Sequence, residues 1–343
     1  MNIGFTYNVR HVKPDINNHQ YIKEAEFDEP STVRRIEKAL KQLGHTVFKI
    51  EADENSFNKF KRLKNKLNLV FNIAEGLNGA DREAQIPAIL EMLGIPYTGP
   101  QPLGYAVGLN KSVAKEILSY YKIPTPHWIT VNKLNYLDKK EFKYFPAIAK
   151  PLGEGSSKGI RARNLVYNQN DLKKIVKELL KEFKQPVIIE EYLPGREFTV
   201  AVIGSNPVKV LPIVELTFPD LPPDMPRFDH YEAKWVYENP DTLDPFDCPA
   251  KISASLKNKI EKLVLDAFHA LEMKDWARID VRLDKKGNPN FIEVNCPPGI
   301  MPDPKENSRF TRSARVAGLS YERMIEEILR SACGRYGIAY FKS

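Results

Sequence analysis

The stretch ARIDVRLDKKGNPNFIEVNCPPG, residues 277–299, predicts an antiparallel hairpin near the C-terminal end of the chain. Its two apolar segments, Ala277–Leu283 and Asn290–Val294, have the composition of β-strands. The residues between them, Asp284–Asn288, contain a glycine and have the composition of a tight turn. The two strands are therefore expected to lie side by side.

Polar side chains alternate along both of these strands. Alternate residues of a strand point to the same face, so Arg278 lies with Asp280, and Glu293 lies with Asn295. Two carboxylates and an amide oxygen at one place form a hard, oxygen-rich site that suits Mg²⁺ bridging phosphate groups. The alternative is an ordinary polar sheet face on which Arg278 bridges to a carboxylate.

Gly299 follows this hairpin directly. Its backbone N–H would lie near the metal site and, with Arg278, could stabilise a developing oxyanion. The alternative is a simple turn. Cys296 lies beside it, and a packed thiol is the preferred interpretation of that cysteine.

A glycine- and serine-rich stretch, KPLGEGSSKGI at residues 150–160, follows a predicted strand. Its backbone N–H groups can approach phosphate oxygens closely, and Lys150, Ser156 and Ser157 add further donors. No Gly-Lys-Ser/Thr sequence closes the stretch, so it is not a P-loop. By itself it fits a hairpin turn equally well.

A fourth segment, VIIEEYLPGRE at residues 187–197, is an apolar strand that ends in acidic residues. The strand backbone can pair with the edge of an adenine, and a carboxylate can accept hydrogen bonds from ribose hydroxyls. Alone, the segment is only a buried strand that meets a turn.

The composition limits the class of protein. The chain has 343 residues, which predicts two or three domains, and its 51 Lys and Arg against 44 Asp and Glu give a net charge of +7. An RNA- or DNA-binding protein is a possible alternative, although the basic run at residues 60–66 fits a solvated helix face better. Three cysteines, no secretory signal pattern and no apolar run near the roughly 20 residues of a membrane-spanning helix predict a cytoplasmic location.

Strands and helices alternate in the first third of the chain, and turn-rich strands follow from about Phe145. This order predicts an N-terminal parallel sheet flanked by helices and a more antiparallel remainder. The long Pro-rich segment Thr217–Pro249 has no apolar periodicity and is predicted to be a loop with a functional role.

Taken in order, these segments resemble the ATP-grasp ligases, and in particular the D-alanine–D-alanine ligase group. Five motifs carry the resemblance, which covers nearly the whole chain: Lys150-Pro…Glu-Gly-Ser-Ser-x-Gly159, Glu190-Glu-Tyr-Leu-x-Gly-x-Glu-Phe-Thr-Val200, Tyr231-Glu-Ala-Lys234, Arg278-Ile-Asp280 and Glu293-Val-Asn-x-x-Pro-Gly299.

The resemblance implies an α/β and α+β fold, with an N-terminal parallel-sheet domain preceding a two-lobed ATP-grasp fold. The implied units are residues 1–105, 106–205 with the central lobe, and 206–343 with the C-terminal lobe, the lid loop and the metal site. It also implies that ATP phosphorylates a carboxylate and that an amine then displaces phosphate to form an amide. A homodimer and amino-acid substrates are typical of the family, with neither nucleic acid nor membrane as a partner.

Residue roles follow from the same resemblance. Lys111, Lys150 and Lys234 would contact the ATP phosphates, and Gly155, Ser156 and Ser157 would close over them. Glu190, Glu191 and Leu193 would line the adenine pocket, Glu197 would hold the ribose, and Phe228 and Ile292 would sandwich the purine. Asp280, Glu293 and Asn295 would bind two Mg²⁺ ions, with Mn²⁺ as a possible replacement. Arg278 and Gly299, with Ser156 and Lys234, would form the catalytic centre.

The amino-acid pockets depart from the family pattern. No single acidic residue of Glu24–Glu29 is assigned to the first substrate's ammonium, and Glu75 replaces a histidine. Trp235 replaces a tyrosine of the family. The family serine that holds the carboxylate of the second substrate aligns near Pro304, and the candidates to replace it are Lys305, Ser308 and Arg309. These departures favour altered substrates, and Glu75 suits an amine-bearing one. A catalytically silent ATP-binding protein of the same fold remains the alternative.

Overall fold

The structure is a computed structural model that describes residues 1–12, 24–237, 244–306 and 308–340. Strands β1 (Asn2–Tyr7), β2 (Thr46–Glu51) and β3 (Leu69–Asn72) form a parallel sheet in the order β2-β1-β3. This confirms the parallel N-terminal sheet that the sequence predicted.

Helices α1 (Pro30–Gln42), α2 (Ser56–Leu63) and α3 (Gln85–Leu93) connect and flank these strands. Glu29 occupies the capping position at the N-terminus of α1, and its side chain makes no capping hydrogen bond. Gly94 ends α3 in the left-handed conformation, as a helix-terminating glycine should.

Helices α4 (Pro102–Leu109) and α5 (Lys111–Tyr120) lead into the second region. The side chain of Asn110 caps α5 by accepting a hydrogen bond from the Val113 N–H. The sequence did not predict α4, since Gly104 within it lowers helix propensity. That glycine is required by packing, because a Cβ there would lie 2.6 Å from Pro100 Cβ.

The central region is an antiparallel sheet with strand order β4-β7-β5-β6. Its elements, in chain order, are β4 (Trp128–Val131), α6 (Tyr136–Lys139), β5 (Ala147–Pro151), β6 (Leu165–Val166), α7 (Gln169–Phe183) and β7 (Val187–Glu191).

The C-terminal sheet has the order β11-β10-β8-β12-β13, with β9 paired to β8. Its strands are β8 (Glu197–Ile203), β9 (Lys209–Val210), β10 (Val214–Leu216), β11 (Phe246–Asp247), β12 (Trp276–Leu283) and β13 (Pro289–Asn295). Strand β8 therefore belongs with the C-terminal strands, although the predicted boundary at residue 205 left it in the central lobe. The three-unit division itself stays a prediction.

Strands β9 and β10 are separated by Leu211–Ile213. Pro212 lies in the break, and proline has no N–H to donate to a sheet. The Pro-rich loop is also less irregular than expected, because it contains a π-helical turn at Ala233–Tyr237 and strand β11.

Helices α8 (Ala254–Ala270), α9 (Arg309–Val316) and α10 (Tyr321–Arg335) complete the C-terminal region. The fully buried Asp275 ties this region to the N-terminal one. Its Oδ2 accepts hydrogen bonds from the Gly99 N–H at 2.9 Å and from Arg335 Nη2 at 2.7 Å. Among the described residues, no helix has the length and apolar character needed to cross a membrane.

Candidate active site

The hairpin of β12 and β13 places the predicted polar residues side by side. Asp280 pairs with Glu293 and Arg278 pairs with Asn295 across the two strands, and an irregularity in register follows Asp280. The period-two alternation in the sequence thus predicted which side chains share a face, and the two strands lie side by side as expected, whereas the register itself was not predicted.

Arg278 bridges to Asp280 in this structure. The distances are 3.1 Å from Arg278 Nε to Asp280 Oδ1 and 2.9 Å from Nη2 to Oδ2. Thr199 donates a hydrogen bond to the same carboxylate, and Asn295 Nδ2 lies 3.3 Å from Oδ2. Burial alone would raise the pKa of Asp280, but Arg278, Arg309 and the Thr199 hydrogen bond together hold the pKa below its usual value.

The oxygen atoms of the side chains on this face of the hairpin suit a hard metal cation. Asp280, Glu293 and Asn295 offer carboxylate and amide oxygens, which are the ligands that Mg²⁺ takes. Within the described ranges, no cluster of three or more His, Cys, Asp or Glu side chains could hold a metal. An ion here would therefore need further oxygen ligands, such as the phosphates of a nucleotide.

Two cavities meet at Glu293. The first, here called the narrow cavity, has a volume of about 70 Å³. It lies between the central and C-terminal sheets and combines charged groups with apolar side chains that suit a purine. The site residues predicted from the sequence that line it are Lys150, Ser157, Glu190, Glu191, Leu193, Glu197, Phe228, Asp280, Ile292 and Glu293.

The second, here called the wide cavity, has a volume of about 170 Å³ and opens toward the N-terminal sheet. The remaining predicted residues line it: Lys111, Gly155, Ser156, Lys234, Arg278, Asn295 and Gly299. Each residue predicted to bind the nucleotide or the metal, or to form the catalytic centre, therefore borders one of two adjoining cavities. The individual roles assigned to them stay predictions.

Glu190 is clamped between two buried lysines. Its Oε2 lies 2.5 Å from Lys150 Nζ and its Oε1 lies 2.9 Å from Lys115 Nζ. Burial alone would raise the pKa of Glu190, but the two ammonium groups lower it to about 2. Sequence reasoning missed Lys115, although its spacing of four from Lys111 places both on one face of α5.

The glycine- and serine-rich loop is held by the N-terminal region. The Gly155 N–H donates to Glu26 Oε1 at 2.7 Å, and Glu26 Oε2 is 2.6 Å from Arg82 Nη2. Ser156 and Ser157 have φ values of 50° and 58°, in the left-handed region. The loop is therefore a constrained turn whose N–H groups are partly engaged by protein carboxylate.

Arg282 organises the far side of the narrow cavity and was also missed. Its Nη1 is 2.5 Å from Glu197 Oε2, and its Nε donates to the Leu193 carbonyl at 2.5 Å. Burial, the largest effect, raises the pKa of Glu197 to about 7 although Arg282 opposes it. Arg282 alternates with Asp280 along β12, and this spacing was its only signal in the sequence.

The wide cavity is rich in carboxylates. Glu26, Asp28, Glu75 and Glu83 line it, and the side chains of Glu75 and Glu83 have no hydrogen bond or ion pair to any described residue. Burial raises the pKa of Glu83 to about 8 and that of Asp28 to about 7. Burial and the neighbouring carboxylates raise the pKa of Glu75 well above its usual value.

The acidic residues between Glu24 and Glu29, which are the candidates for binding the ammonium group of the first substrate, differ in their contacts. Glu24 accepts a hydrogen bond from the His11 N–H at 2.7 Å, and Glu29 pairs with Arg10 at 2.5 Å, and neither lines the cavity. Glu26 does line it, but it is engaged by Arg82 and Gly155, as described above. Asp28 is the acidic residue of this segment that borders the cavity and makes no ion pair with a described residue.

The candidate residues for binding the carboxylate of the second substrate differ in burial and in whether they line the wide cavity. Ser308 and Arg309 are buried and line the wide cavity, whereas Pro304 and Lys305 are exposed and do not. The side chain of Trp235 lies outside the described residues. Cys296 donates to the Trp276 carbonyl at 3.2 Å, and burial raises its pKa well above the usual value, as expected of a packed thiol.

Comparisons with known proteins agree with this geometry. A family model described as the D-alanine–D-alanine ligase C-terminus matches residues 103–330. The D-alanine–D-alanine ligase of Aquifex aeolicus is 32% identical over 298 residues, which cover 87% of this chain and 93% of that protein. An uncharacterised protein, y4sG, of Sinorhizobium fredii is 33% identical over 304 residues, covering 87% and 86% respectively.

The fold agrees as well. A Bacillus anthracis D-alanine–D-alanine ligase crystallised with ATP superposes with a TM-score of 0.71 at 22% identity, covering 98% of this chain and 99% of that one. The fold is therefore an α/β ATP-grasp fold. The chain belongs to the D-alanine–D-alanine ligase family, and this membership supports ATP-dependent amide-bond ligase activity.

Proposed function

We propose that this protein is an ATP-dependent carboxylate–amine ligase that forms an amide bond through an acyl phosphate. The supporting observation is that the narrow and wide cavities adjoin at Glu293 on strand β13. A nucleotide in the narrow cavity would thus direct its terminal phosphate toward a substrate in the wide one.

The reaction has two steps. A carboxylate oxygen of the first substrate attacks the terminal phosphorus of ATP, and the bond to ADP breaks. The amine of the second substrate then attacks the acyl carbon, loses a proton, and expels phosphate. Arg278 and the Gly299 N–H, which both border the wide cavity, would stabilise the negative oxygen of the tetrahedral intermediate.

The remaining residues position the reactants. Lys111, Lys150 and Lys234 would neutralise phosphate charge, and the apolar Phe228 and Ile292 would enclose the purine. Asp280, Glu293 and Asn295 would hold Mg²⁺, which supplies charge neutralisation at the transferred phosphate. Arg278 would then exchange its contact with Asp280 for one to the substrate.

We further propose that at least one substrate differs from plain D-alanine and carries an additional amine. Glu75 and Glu83 support this, because both border the wide cavity and neither has a cationic partner among the described residues. Burial and the neighbouring carboxylates raise the pKa of both groups although Arg82 opposes this, and an ammonium group would relieve the repulsion.

The test is ADP release with Mg-ATP and a panel of D- and L-amino acids and diamines, with product masses measured. We expect the fastest turnover with an amine-bearing member, and we expect E75Q and E83Q to reduce that preference. D81N is the matched control, since Asp81 is an exposed carboxylate of the same segment outside the cavity.

Robust turnover of D-alanine alone, with no better partner, would contradict the altered-substrate proposal but not the ligase proposal. A catalytically silent nucleotide-binding protein is the second candidate. It predicts ATP binding without amino-acid-dependent ADP release. The homodimer remains a prediction that sedimentation can test.

A further inference from the structure

A buried ion pair joins the segment that precedes Lys234 to the start of helix α9. Asp229 Oδ2 accepts a hydrogen bond from Arg309 Nη1 at 2.7 Å, and the Arg309 side chain is only 4% exposed. Neither residue falls within the five motifs that carry the family resemblance. The pair therefore needs its own explanation.

Asp229 lies at the boundary of the nucleotide region. It borders the narrow cavity, and its backbone carbonyl accepts a hydrogen bond from Ser157 Oγ at 3.4 Å. Two residues further on, the Tyr231 N–H donates to the Ile160 carbonyl at 2.8 Å. This segment thus lies against the glycine- and serine-rich loop of the central lobe.

Arg309 contacts Asp229 from the side of the wide cavity. It is the first residue of α9, it borders the wide cavity, and its Nε has no hydrogen-bond partner among the described residues. The ion pair therefore connects helix α9 to the segment that borders the narrow cavity.

Stability alone is a weak explanation for such a pair. Removing two charges from water costs about as much as their attraction returns, so apolar residues of similar volume would serve the fold as well. A fixed charge pair does specify one position of a loop, and here that loop carries Lys234 toward the reaction centre.

We propose that Arg309 is a positioning residue for nucleotide binding, acting through Asp229 to hold the segment from Phe228 to Lys234 over the narrow cavity. The inference rests on the proposed use of ATP. It extends that proposal, because it assigns a function to a residue outside the predicted nucleotide and metal ligands.

The chain offers a matched control one turn further along the same helix. Arg312 Nη1 pairs with Asp244 Oδ2 at 2.5 Å, so it also joins α9 to the Pro-rich loop. Both guanidinium groups lie over the Phe246 ring, at 5.5 Å for Arg309 and 5.2 Å for Arg312. Asp244, however, is half exposed and borders neither the narrow nor the wide cavity.

The experiment measures ATP affinity of the full chain by calorimetry, without any amino acid, for R309Q, D229N, the double variant and R312Q. We expect R309Q and D229N each to weaken ATP binding by about tenfold or more. The double variant should be no weaker than the weaker single variant, because both changes break one interaction. R312Q should stay within about twofold of the wild type.

R309Q binding ATP as well as R312Q does would overturn the proposal. So would normal binding by D229N when R309Q is weak, since Arg309 would then act on the ligand without Asp229. If R309Q does not fold by circular dichroism, the double variant, which leaves no uncompensated charge, decides the question. A wild-type protein that fails to bind ATP would instead contradict the proposed function, and the positioning role with it.

Discussion

Asp280 and Glu293 lie directly opposite each other on neighbouring antiparallel strands, at the point where the two cavities meet. Each carboxylate faces a different electrostatic environment. Asp280 is paired with Arg278, whereas Lys111 Nζ is 3.8 Å from Glu293 Oε2. The pair can therefore accept a divalent cation only together with a ligand that competes for Arg278 and Lys111.

Neutralising either member of this pair should abolish metal-dependent turnover. We expect D280N and E293Q each to lower Mg-dependent ADP formation by about 100-fold or more, because each removes a hard anionic ligand. Initial rates over a magnesium titration measure the effect. D284N is the control, since it removes a carboxylate from the exposed turn of the same hairpin. A D280N rate equal to that of D284N would contradict the metal assignment.

Glu190 should make the free energy of unfolding depend on pH at acidic pH. Its pKa is about 2 in the folded protein, below its unfolded value of about 4.3, so the ionised form stabilises the fold. That contribution is fully present above about pH 4.3 and is lost as the pH falls toward 2.

Urea unfolding of the wild type and E190Q from pH 7 to pH 3 measures this contribution. We expect E190Q to be less stable at neutral pH, by about 3 kcal/mol or more, because it leaves Lys115 and Lys150 buried without a counter-charge. The difference should shrink as the pH falls. The neighbouring E191Q should show no such trend, and a pH-independent difference for E190Q would argue against the clamp.

Glu83 should have the opposite effect on stability. Its pKa is raised to about 8 by burial, so the folded state retains a proton that the unfolded state has lost. The fold is thus penalised progressively as the pH rises from about 4.3 to 8. We expect E83Q to have a higher Tm than the wild type at pH 8 and an equal Tm at pH 4.

Calorimetric melting at the two pH values checks this prediction, with D81N as the control. A Tm for E83Q that is no higher than the wild-type value at pH 8 would mean that Glu83 has a compensating partner. An amine-bearing substrate should raise the wild-type Tm more than that of E83Q, since binding to the native state stabilises it.

Asp275 should be a main determinant of stability. It is fully buried, and Arg335 and the Gly99 N–H bind the same carboxylate oxygen. We expect D275A to lower the free energy of unfolding by about 3–5 kcal/mol, because Arg335 is left without its counter-charge. Denaturant unfolding is the measurement. D266A, which removes an exposed pair with Lys262, should cost at most about 1 kcal/mol.

The parts of the site that could be predicted are those whose residues alternate along a strand or lie next to one another in the sequence. The alternation of Arg278, Asp280, Glu293 and Asn295 predicted which side chains share a face, and the turn between the strands predicted that the two strands lie side by side. The loop at residues 152–161 was predictable because its glycines and serines occur together in sequence.

The ion pairs that sequence reasoning missed join residues that are far apart in the chain. Lys115 appears as one more polar residue on an amphipathic helix, and only the fold brings Glu190 to it. Arg309 lies in an unpredicted helix, and its partner Asp229 is 80 residues away in a loop without periodicity. Ion pairs of this kind have no local signal, so the sequence could not reveal them.

The ligase proposal is tested most directly by following oxygen from substrate to phosphate. The protein is incubated with Mg-ATP and a pooled set of amino acids whose carboxylates carry a heavy-oxygen label, and the released phosphate is analysed by mass spectrometry. We predict one labelled oxygen in phosphate for each ADP formed, because the acyl phosphate transfers a carboxylate oxygen. Unlabelled phosphate, or bound ATP with no amino-acid-dependent ADP, would contradict acyl-phosphate ligation.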